Sequence, residues 1–343
     1  MRSALITGVA AFGLSDVERA FYREVRPAGA ILFTRNCRDT AQIARLVGEI
    51  KDAVQADDFL VLIDQEGGRV QRLRGENGRA LPPARRYGDY FARDPDSARA
   101  AAHLVARLVA EDLSSLGINC NCAPVLDIPV PGAHDIIGDR AYASDAHTIV
   151  TLAREVVKGY IAGGVVPVIK HIPGHGRATA DSHLSLPVVG TPREELSRTD
   201  FLPFRLLSDA PAAMTAHVLY SDVDRNEPAS TSAPVIADVI RGEMGYRGLL
   251  MSDDLSMQAL SGDIGARAGK VIAAGCDVAL HCNGDMGEMR AAAAAVPALD
   301  GAALKRFAAA CRITRGKRPF DAAQAQELLA IVLAEPPHPA ESV

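Results

Sequence analysis

The sequence of 343 residues predicts a single (β/α)₈ barrel. Short apolar runs alternate with longer amphipathic segments along nearly the whole chain, and there are eight such runs. The runs are continuous rather than strictly alternating, as in parallel strands that are covered on both faces. An α/β barrel commonly uses ~250 residues or more as one domain. We therefore expect residues 1–320 to form the barrel and residues 321–343 to form a C-terminal helix and a frayed tail.

Each predicted strand is a run rich in aliphatic residues. The eight predicted strands are Ala4–Ile6, Gly29–Phe33, Phe59–Ile63, Ile118–Pro124, Val165–Lys170, Ala212–His217, Gly248–Ser252 and Asp277–His281. The segments between them have helical periodicity. The predicted helices are Asp39–Val54, Asp94–Leu116, His147–Ala162, Thr191–Leu207, Ser232–Met244, Ile264–Ala274, Met286–Val296 and Ala322–Ala334.

Several of these helices carry recognisable ends. Asp39, Asp94 and Ser232 suit the N-cap position, and Gly117 and Gly275 suit the position after a helix. A doubly wound open sheet is the alternative fold. The turn after the first strand lacks the Gly-x-Gly-x-x-Gly pattern that such dinucleotide-binding sheets carry, which favours the barrel.

Composition excludes several functional classes. The net charge is −5 and the isoelectric point is near 6.0, so nothing favours nucleic acid or an anionic membrane as a partner. No apolar stretch reaches the ~18 residues of a membrane span, and the apolar segment after Met1 is short for a signal peptide. The six cysteines form no Cys-x-x-Cys pair, which fits buried thiols in a reducing compartment. We expect a cytoplasmic protein, and a monomer.

Polar residues cluster where the predicted strands end. Catalytic residues of such barrels lie at the C-terminal ends of the strands and in the loops that follow. The six clusters are Asp64–Arg72, Asp127 with Asp135 and Asp139–Arg140, Lys170–His183, His217, Ser252–Asp254 and His281. Six clusters at one end of a barrel predict an active site there.

The segment from Lys170 to His183 is the richest of these. Asp181 and His183 are two residues apart, so in an extended segment the carboxylate could hold one ring nitrogen and leave the other free for proton transfer. The ordinary His pKa of about 6.5 suits a group that acts as both acid and base. The competing and less favoured hypothesis is a metal site. Its possible ligands are His171, His175, Asp181 and His183, and Glu66 and Asp253 could complete it.

Two adjacent carboxylates end the seventh predicted strand. Adjacent strand residues point to opposite faces, so one of the two faces the barrel mouth. A carboxylate at the mouth is a nucleophile or a metal ligand, and we assign this place to Asp253. We expect Asp254 to be the N-cap of the next helix.

With these motifs the sequence closely resembles glycoside hydrolase family 3, and within it the single-domain bacterial β-N-acetylglucosaminidases. The motifs that carry the resemblance are Ile63-Asp64-Gln-Glu-Gly-Gly-Arg-Val-Gln-Arg72, Lys170-His-Ile-Pro-Gly-His-Gly-x₄-Asp-Ser-His183 and Met251-Ser-Asp-Asp-Leu-Ser-Met257, supported by Ala30–Asn36 and Ala123–Asp127. They run in consistent order from about residue 5 to about residue 315. Ile172 stands where the family usually has Phe, which is a minor departure.

The resemblance implies a retaining exo-β-N-acetylglucosaminidase that acts on soluble muropeptides in cell-wall recycling. By the same resemblance, Asp253 is the nucleophile, His183 is the acid/base and Asp181 orients it. The implied sugar-binding residues are Asp64, Arg72, Arg140, Lys170 and His171. No metal or other cofactor is implied.

Composition agrees with exo-action on a small substrate. The chain has no Trp, 7 Tyr and 9 Phe, whereas enzymes that grip long polysaccharides commonly use aromatic platforms. Three alternatives stay open at this stage. They are a phosphorylase in which phosphate replaces water, a metal-dependent hydrolase on the same barrel, and a sugar-binding protein without catalysis.

Overall fold

The computed structural model describes residues 1–182 and 184–334. Eight parallel strands close into a barrel in which each strand pairs with the next along the chain and the last pairs with the first. These strands are β1 (Ser3–Gly8), β2 (Pro27–Leu32), β3 (Leu60–Ile63), β4 (Cys120–Asn121), β5 (Val166–Ile172), β6 (Ala212–Thr215), β7 (Leu249–Asp254) and β8 (Val278–His281). The predicted (β/α)₈ barrel is therefore confirmed.

Helices surround the strands. They are α1 (Asp16–Val25), α2 (Thr40–Val54), α3 (Ala84–Phe91), α4 (Pro95–Ser115), α5 (Ala146–Ala162), α6 (Arg193–Arg198), α7 (Leu202–Leu206), a π-helix (Val235–Glu243), α8 (Ile264–Ala274), α9 (Met286–Ala295), α10 (Gly301–Ile313) and α11 (Ala322–Ala334). The predicted tail beyond Ala334 lies outside the described residues.

Two predicted helices differ from the structure. The segment predicted as one helix over Thr191–Leu207 is divided into α6 and α7, and Pro203 lies in the first turn of α7. Proline has no N–H to donate and is tolerated only in a helix's first turn, so a continuous helix was the wrong prediction here. The helix predicted over Ser232–Met244 is a π-helix over Val235–Glu243, and Oγ of Ser232 accepts from the backbone N–H of Val235, as expected of its capping role.

Three short helices, α1, α3 and α10, were not predicted. A local signal for α1 exists in the sequence. Ser15 accepts a hydrogen bond from the backbone N–H of Glu18, whose carboxylate in turn accepts from the backbone N–H of Ser15. This reciprocal capping box satisfies donors that a helix start leaves unpaired.

The barrel interior is packed with small and medium apolar side chains. Alternate residues of each strand point inward and form one buried cluster, for example Leu62 of β3, Val168 of β5 and Met251 of β7. Cys120 and Cys122 belong to this cluster and are fully buried, which confirms their expected role as small apolar side chains. Residues of opposite parity pack beneath the helices. The interior is therefore a packed core, and in such barrels the site lies at the C-terminal ends of the strands.

Within residues 1–182 and 184–334, none of the helices combines the length and the apolar character that crossing a membrane requires.

Candidate active site

A cavity of about 380 Å³ lies at the C-terminal ends of the strands, and this volume is within the range of small-molecule sites, roughly 300–1,000 Å³. Most of the predicted site residues line it: Asp64, Arg72, Arg140, Lys170, His171 and Asp253. Asp181 is half-buried in the loop whose next residue, Ser182, also lines the cavity. His183, the predicted acid/base, lies outside the described residues.

A continuous series of ion pairs runs along one wall. Arg72 Nη2 donates to Asp64 Oδ2 at 2.9 Å, and Lys170 Nζ donates to Asp64 Oδ1 at 3.0 Å. The same Nζ lies 2.6 Å from Glu66 Oε1. Arg140 completes the series through two hydrogen bonds of 2.9 Å to the two oxygens of Glu66. Three cations thus hold two carboxylates in fixed positions, in the paired geometry that charged hydrogen bonds favour.

The ammonium group of Lys170 is the centre of this series. The residue is 2% exposed, and burial alone would lower the pKa of its ammonium group. Asp64 and Glu66 outweigh burial and raise that pKa above its ordinary value. The pKa of each carboxyl is lowered because the adjacent cations outweigh the effect of burial. Lys170, Asp64 and Glu66 are therefore charged at neutral pH.

Asp127 supports the two histidines of the Lys170–His183 segment. Its Oδ2 lies 2.7 Å from Nδ1 of His171, and its Oδ1 accepts from the backbone N–H groups of His171 and His175 at 3.1 and 2.7 Å. Asp127 is fully buried; burial by itself would raise its pKa, but His171 holds the pKa below the ordinary value. The ionised carboxylate accepts from Nδ1–H of His171, which leaves Nε2 of His171 as the nitrogen for a ligand.

His175 connects this support to the loop of Asp181. Its Nε2 lies 3.1 Å from Oγ of Ser182. Burial and the neighbouring His171 lower the pKa of His175 to about 4, so its ring is neutral near pH 7. This contact holds Ser182, which separates Asp181 from residue 183 in the chain, at the edge of the cavity.

Asp253 is the next-to-last residue of β7. It accepts a hydrogen bond of 2.8 Å from the backbone N–H of Asp254. Burial would raise the pKa of Asp253, but His217 and His171, together with that N–H and Lys170, lower it below the ordinary value. The side chain is therefore an ionised carboxylate that lines the cavity, which is the state that a nucleophile or an electrostatic stabiliser requires.

His217 lies beside Asp253 at the end of β6. Its Nε2 lies 3.0 Å from the backbone carbonyl of Asp254, and its Nδ1 lies 2.7 Å from Oγ of Ser230. A carbonyl oxygen only accepts, so Nε2 carries a proton. Burial lowers the pKa of His217, and its contact with the carbonyl of Asp254 fixes the backbone at the end of β7.

Asp254 does not have the predicted role. The helix after β7 is α8, and its N-cap is Asp263. Oδ1 of Asp254 instead accepts from the backbone N–H and the hydroxyl of Ser256 and from the backbone N–H of Cys282, at 2.8–3.0 Å. The N-cap prediction was therefore wrong: nine residues separate Asp254 from α8, and its carboxylate ties the turn after β7 to the end of β8.

Four side chains with a place in the site were given no role in sugar binding or catalysis by sequence reasoning, although two of them were candidate metal ligands. They are Glu66, Asp127, His175 and His217. Each lies in a polar cluster at a strand end, which is the signal that could have identified it. Their partners come from other strands, so the sequence alone did not reveal what they contact.

No group of three or more His, Cys, Asp or Glu side chains is arranged to hold a metal ion in the part of the chain that the structure describes, which leaves out His183. His171 and His175, two residues of the metal hypothesis, instead contact Asp127 and Ser182.

We expect Lys170→Met to lower the free energy of unfolding by about 3–5 kcal/mol, because it leaves Asp64 and Glu66 buried without their shared cation. Chemical denaturation monitored by circular dichroism measures the change. Lys158→Met is the matched control: Lys158 pairs with Glu155 at the surface, and an exposed pair is worth about 1 kcal/mol or less. Equal losses in the two variants would contradict the central place of Lys170.

The comparisons with known proteins agree with this geometry. Residues 11–315 match the glycosyl hydrolase family 3 N-terminal domain. A β-hexosaminidase from Alkalilimnicola ehrlichii is 41% identical over 283 residues, which is 81% of this chain and 80% of the relative. A β-hexosaminidase from Xylella fastidiosa is 40% identical over 287 residues, which is 82% of this chain and 84% of the relative.

Solved structures give the same result. Native NagZ from Neisseria gonorrhoeae superimposes with a TM-score of 0.86 at 32% identity, covering 98% of each chain. The structure of that protein in complex with N-trifluoroacetyl-D-glucosamine also gives a TM-score of 0.86. On this evidence the chain belongs to glycosyl hydrolase family 3, as its motifs predicted, and is a glycoside hydrolase of the β-N-acetylhexosaminidase class.

Proposed function

We propose that this glycoside hydrolase is a retaining exo-β-N-acetylglucosaminidase that removes terminal, non-reducing N-acetylglucosamine from muropeptides. The observation that carries the proposal is the placement of an ionised Asp253 in the same small cavity as the buried charges around Lys170. One part of this cavity offers a nucleophile, and the other offers fixed donors and acceptors for sugar hydroxyls.

Asp253 acts as the nucleophile. Its carboxylate oxygen attacks the anomeric carbon, the bond to the leaving-group oxygen breaks, and a covalent glycosyl-enzyme forms. Water then attacks the same carbon and releases Asp253. The hydrogen bond from the backbone N–H of Asp254 orients the carboxylate without protonating it.

His183 acts as the acid that protonates the leaving group and as the base that activates water, and Asp181 orients it. The usual template for this chemistry has two carboxyl groups, and here an imidazole takes the place of the second. The contact between His175 and Ser182 supports this assignment, because it holds the neighbouring loop residue against the cavity.

Sugar hydroxyls are bound by Asp64, Arg72, Arg140, Lys170 and His171. Fixed charged partners discriminate strongly between substrates, because a missing hydroxyl would leave one of them unpaired. The complex of the Neisseria gonorrhoeae relative with N-trifluoroacetyl-D-glucosamine supports an N-acylated glucosamine as the substrate unit.

The substrate we propose is a small soluble muropeptide, met in the cytoplasm during cell-wall recycling. The limited volume of the cavity supports exo-action on one terminal sugar. The six cysteines are all unpaired and five of them are buried, which is compatible with a reducing compartment.

The test is an assay of aryl β-glycosides of N-acetylglucosamine and of glucose, run side by side. We expect turnover of the N-acetylglucosamine derivative and at least a hundredfold lower kcat/KM for the glucose derivative, because a site built around particular polar groups of a substrate rejects analogues that lack them. Equal activity on both substrates, or none on either, would contradict the proposal. Added phosphate in a parallel reaction separates hydrolysis from phosphorolysis by the product formed.

The same reaction followed by NMR tests the covalent step. A glycosyl-enzyme requires two inversions, so the β-anomer of the product should appear first and convert slowly to the α-anomer. Initial α-anomer would mean direct attack by water and would exclude the nucleophilic role of Asp253.

A further inference from the structure

Phe33 contributes an aromatic ring to the cavity, and none of the other described lining residues is Phe or Tyr. It follows β2 directly and is half-buried. Two guanidinium groups lie over this ring. The Cζ atom of Arg35 is 4.9 Å from the ring centroid, and the Cζ atom of Arg72 is 5.0 Å from it. Both distances are within the ~6 Å of a favourable cation–π contact.

Arg35 is fixed by hydrogen bonds to two backbone carbonyls. Its Nε donates to the carbonyl of Val9 at 3.0 Å, and its Nη2 donates to the carbonyl of Cys282. The lack of a side chain at Gly8 leaves room for the hydrogen bond between Arg35 and Cys282. A Cβ at that position would lie 2.1 Å from the Cys282 carbonyl oxygen and 2.9 Å from Nη2 of Arg35. Arg35 is thus attached to the residues that directly follow β1 and β8.

The backbone of Phe33 is also fixed. Its N–H donates to Oδ1 of Asn36 at 3.0 Å. Asn36 is fully buried, and its Nδ2 donates to the carbonyls of Val9 and Ala11 at 2.9 Å each. The ring of Phe33 therefore stands on a rigid turn with a fixed cation against it.

Arg72 is less restrained by hydrogen bonds than its neighbours. Its Nη2 donates to Asp64, while its Nε is buried and has no hydrogen-bond partner among the described residues. A single such bond leaves the guanidinium plane free to rotate about that contact. The ring of Phe33 is the second contact that defines this plane.

We infer that Phe33, supported by Arg35, is a positioning residue that orients Arg72 for substrate binding. The inference rests on the proposed function, in which Arg72 binds the sugar. Phe33 acts through Arg72, and the contact with its ring sets the direction in which the free N–H groups of Arg72 meet sugar hydroxyls. Pre-setting one orientation lowers the cost of ordering that side chain on binding.

The test is a double-mutant cycle on the whole enzyme with an aryl β-N-acetylglucosaminide. Phe33→Leu keeps apolar bulk but removes the ring, and we expect it to raise KM about tenfold with kcat changed less than about threefold. In an Arg72→Ala background the same change should alter KM by less than about twofold, since the group that Phe33 orients is gone. Phe33→Tyr retains the ring face and should restore a KM near that of the wild type.

Full additivity of the two changes in an active, folded enzyme would overturn the inference. Thermal unfolding of each variant shows whether it folds, and Arg35→Met is the second variant should Phe33→Leu not fold. Arg35→Met should also raise KM, and this effect should disappear in the Arg72→Ala background. An unchanged KM in Arg35→Met would overturn the inference. A wild-type enzyme inactive on N-acetylglucosaminides would count against the proposed function instead.

Discussion

Asp253→Asn should reduce turnover by several powers of ten while the fold and the binding of N-acetylglucosamine are largely kept. An amide is nearly the same size as a carboxylate, but it cannot form the glycosyl-enzyme, and losing a covalent step costs on this scale. The measurements are kcat on an activated aryl glycoside and the Kd of N-acetylglucosamine by calorimetry.

Asp254→Asn is the matched control. The amide keeps an oxygen that can accept from Ser256 and from the backbone N–H of Cys282, the contacts that Oδ1 of Asp254 makes now. We expect a far smaller loss of activity from this change. If Asp253→Asn kept most of its activity while Asp254→Asn lost it, the nucleophile would have to be reassigned to Asp254.

His183→Ala should slow cleavage of the natural disaccharide far more than cleavage of an activated aryl glycoside. Formation of the glycosyl-enzyme needs acid assistance only when the leaving group is poor. With the activated substrate the glycosyl-enzyme should accumulate, because the water step still needs a base. Rapid-quench mass spectrometry of the intact protein measures that accumulation, as an added mass of one N-acetylglucosaminyl group.

Asp181→Ala should follow the same pattern more mildly, because it removes orientation and charge stabilisation rather than the proton carrier. His147→Ala is a control at an exposed histidine near the start of α5, and it should leave both substrates unaffected. Equal losses on both substrates in His183→Ala would point to a binding or metal role for that residue instead.

The sequence by itself determined the barrel and the end of it that carries the site. Eight apolar strands with helices between them can bury their apolar faces in only a few architectures, and a closed parallel barrel is one of them. Such a barrel places the C-terminal ends of all its strands on the same rim. Asp64, Lys170 and Asp253 follow or end strands from different parts of the chain, so the topology alone brought them to the same cavity.

Only the tertiary structure decided what each polar side chain contacts. Asp254 had the local pattern of an N-cap, but its carboxylate accepts a hydrogen bond from the backbone N–H of Cys282, which lies 28 residues further along the chain. Lys170 pairs with two carboxylates more than a hundred residues earlier, and Phe33 is stacked with Arg72. Local sequence specifies caps and periodicity through neighbours a few residues apart. Ion pairs and ring contacts of this kind join side chains that come together only when the barrel has closed, so no pattern of neighbouring residues specifies them.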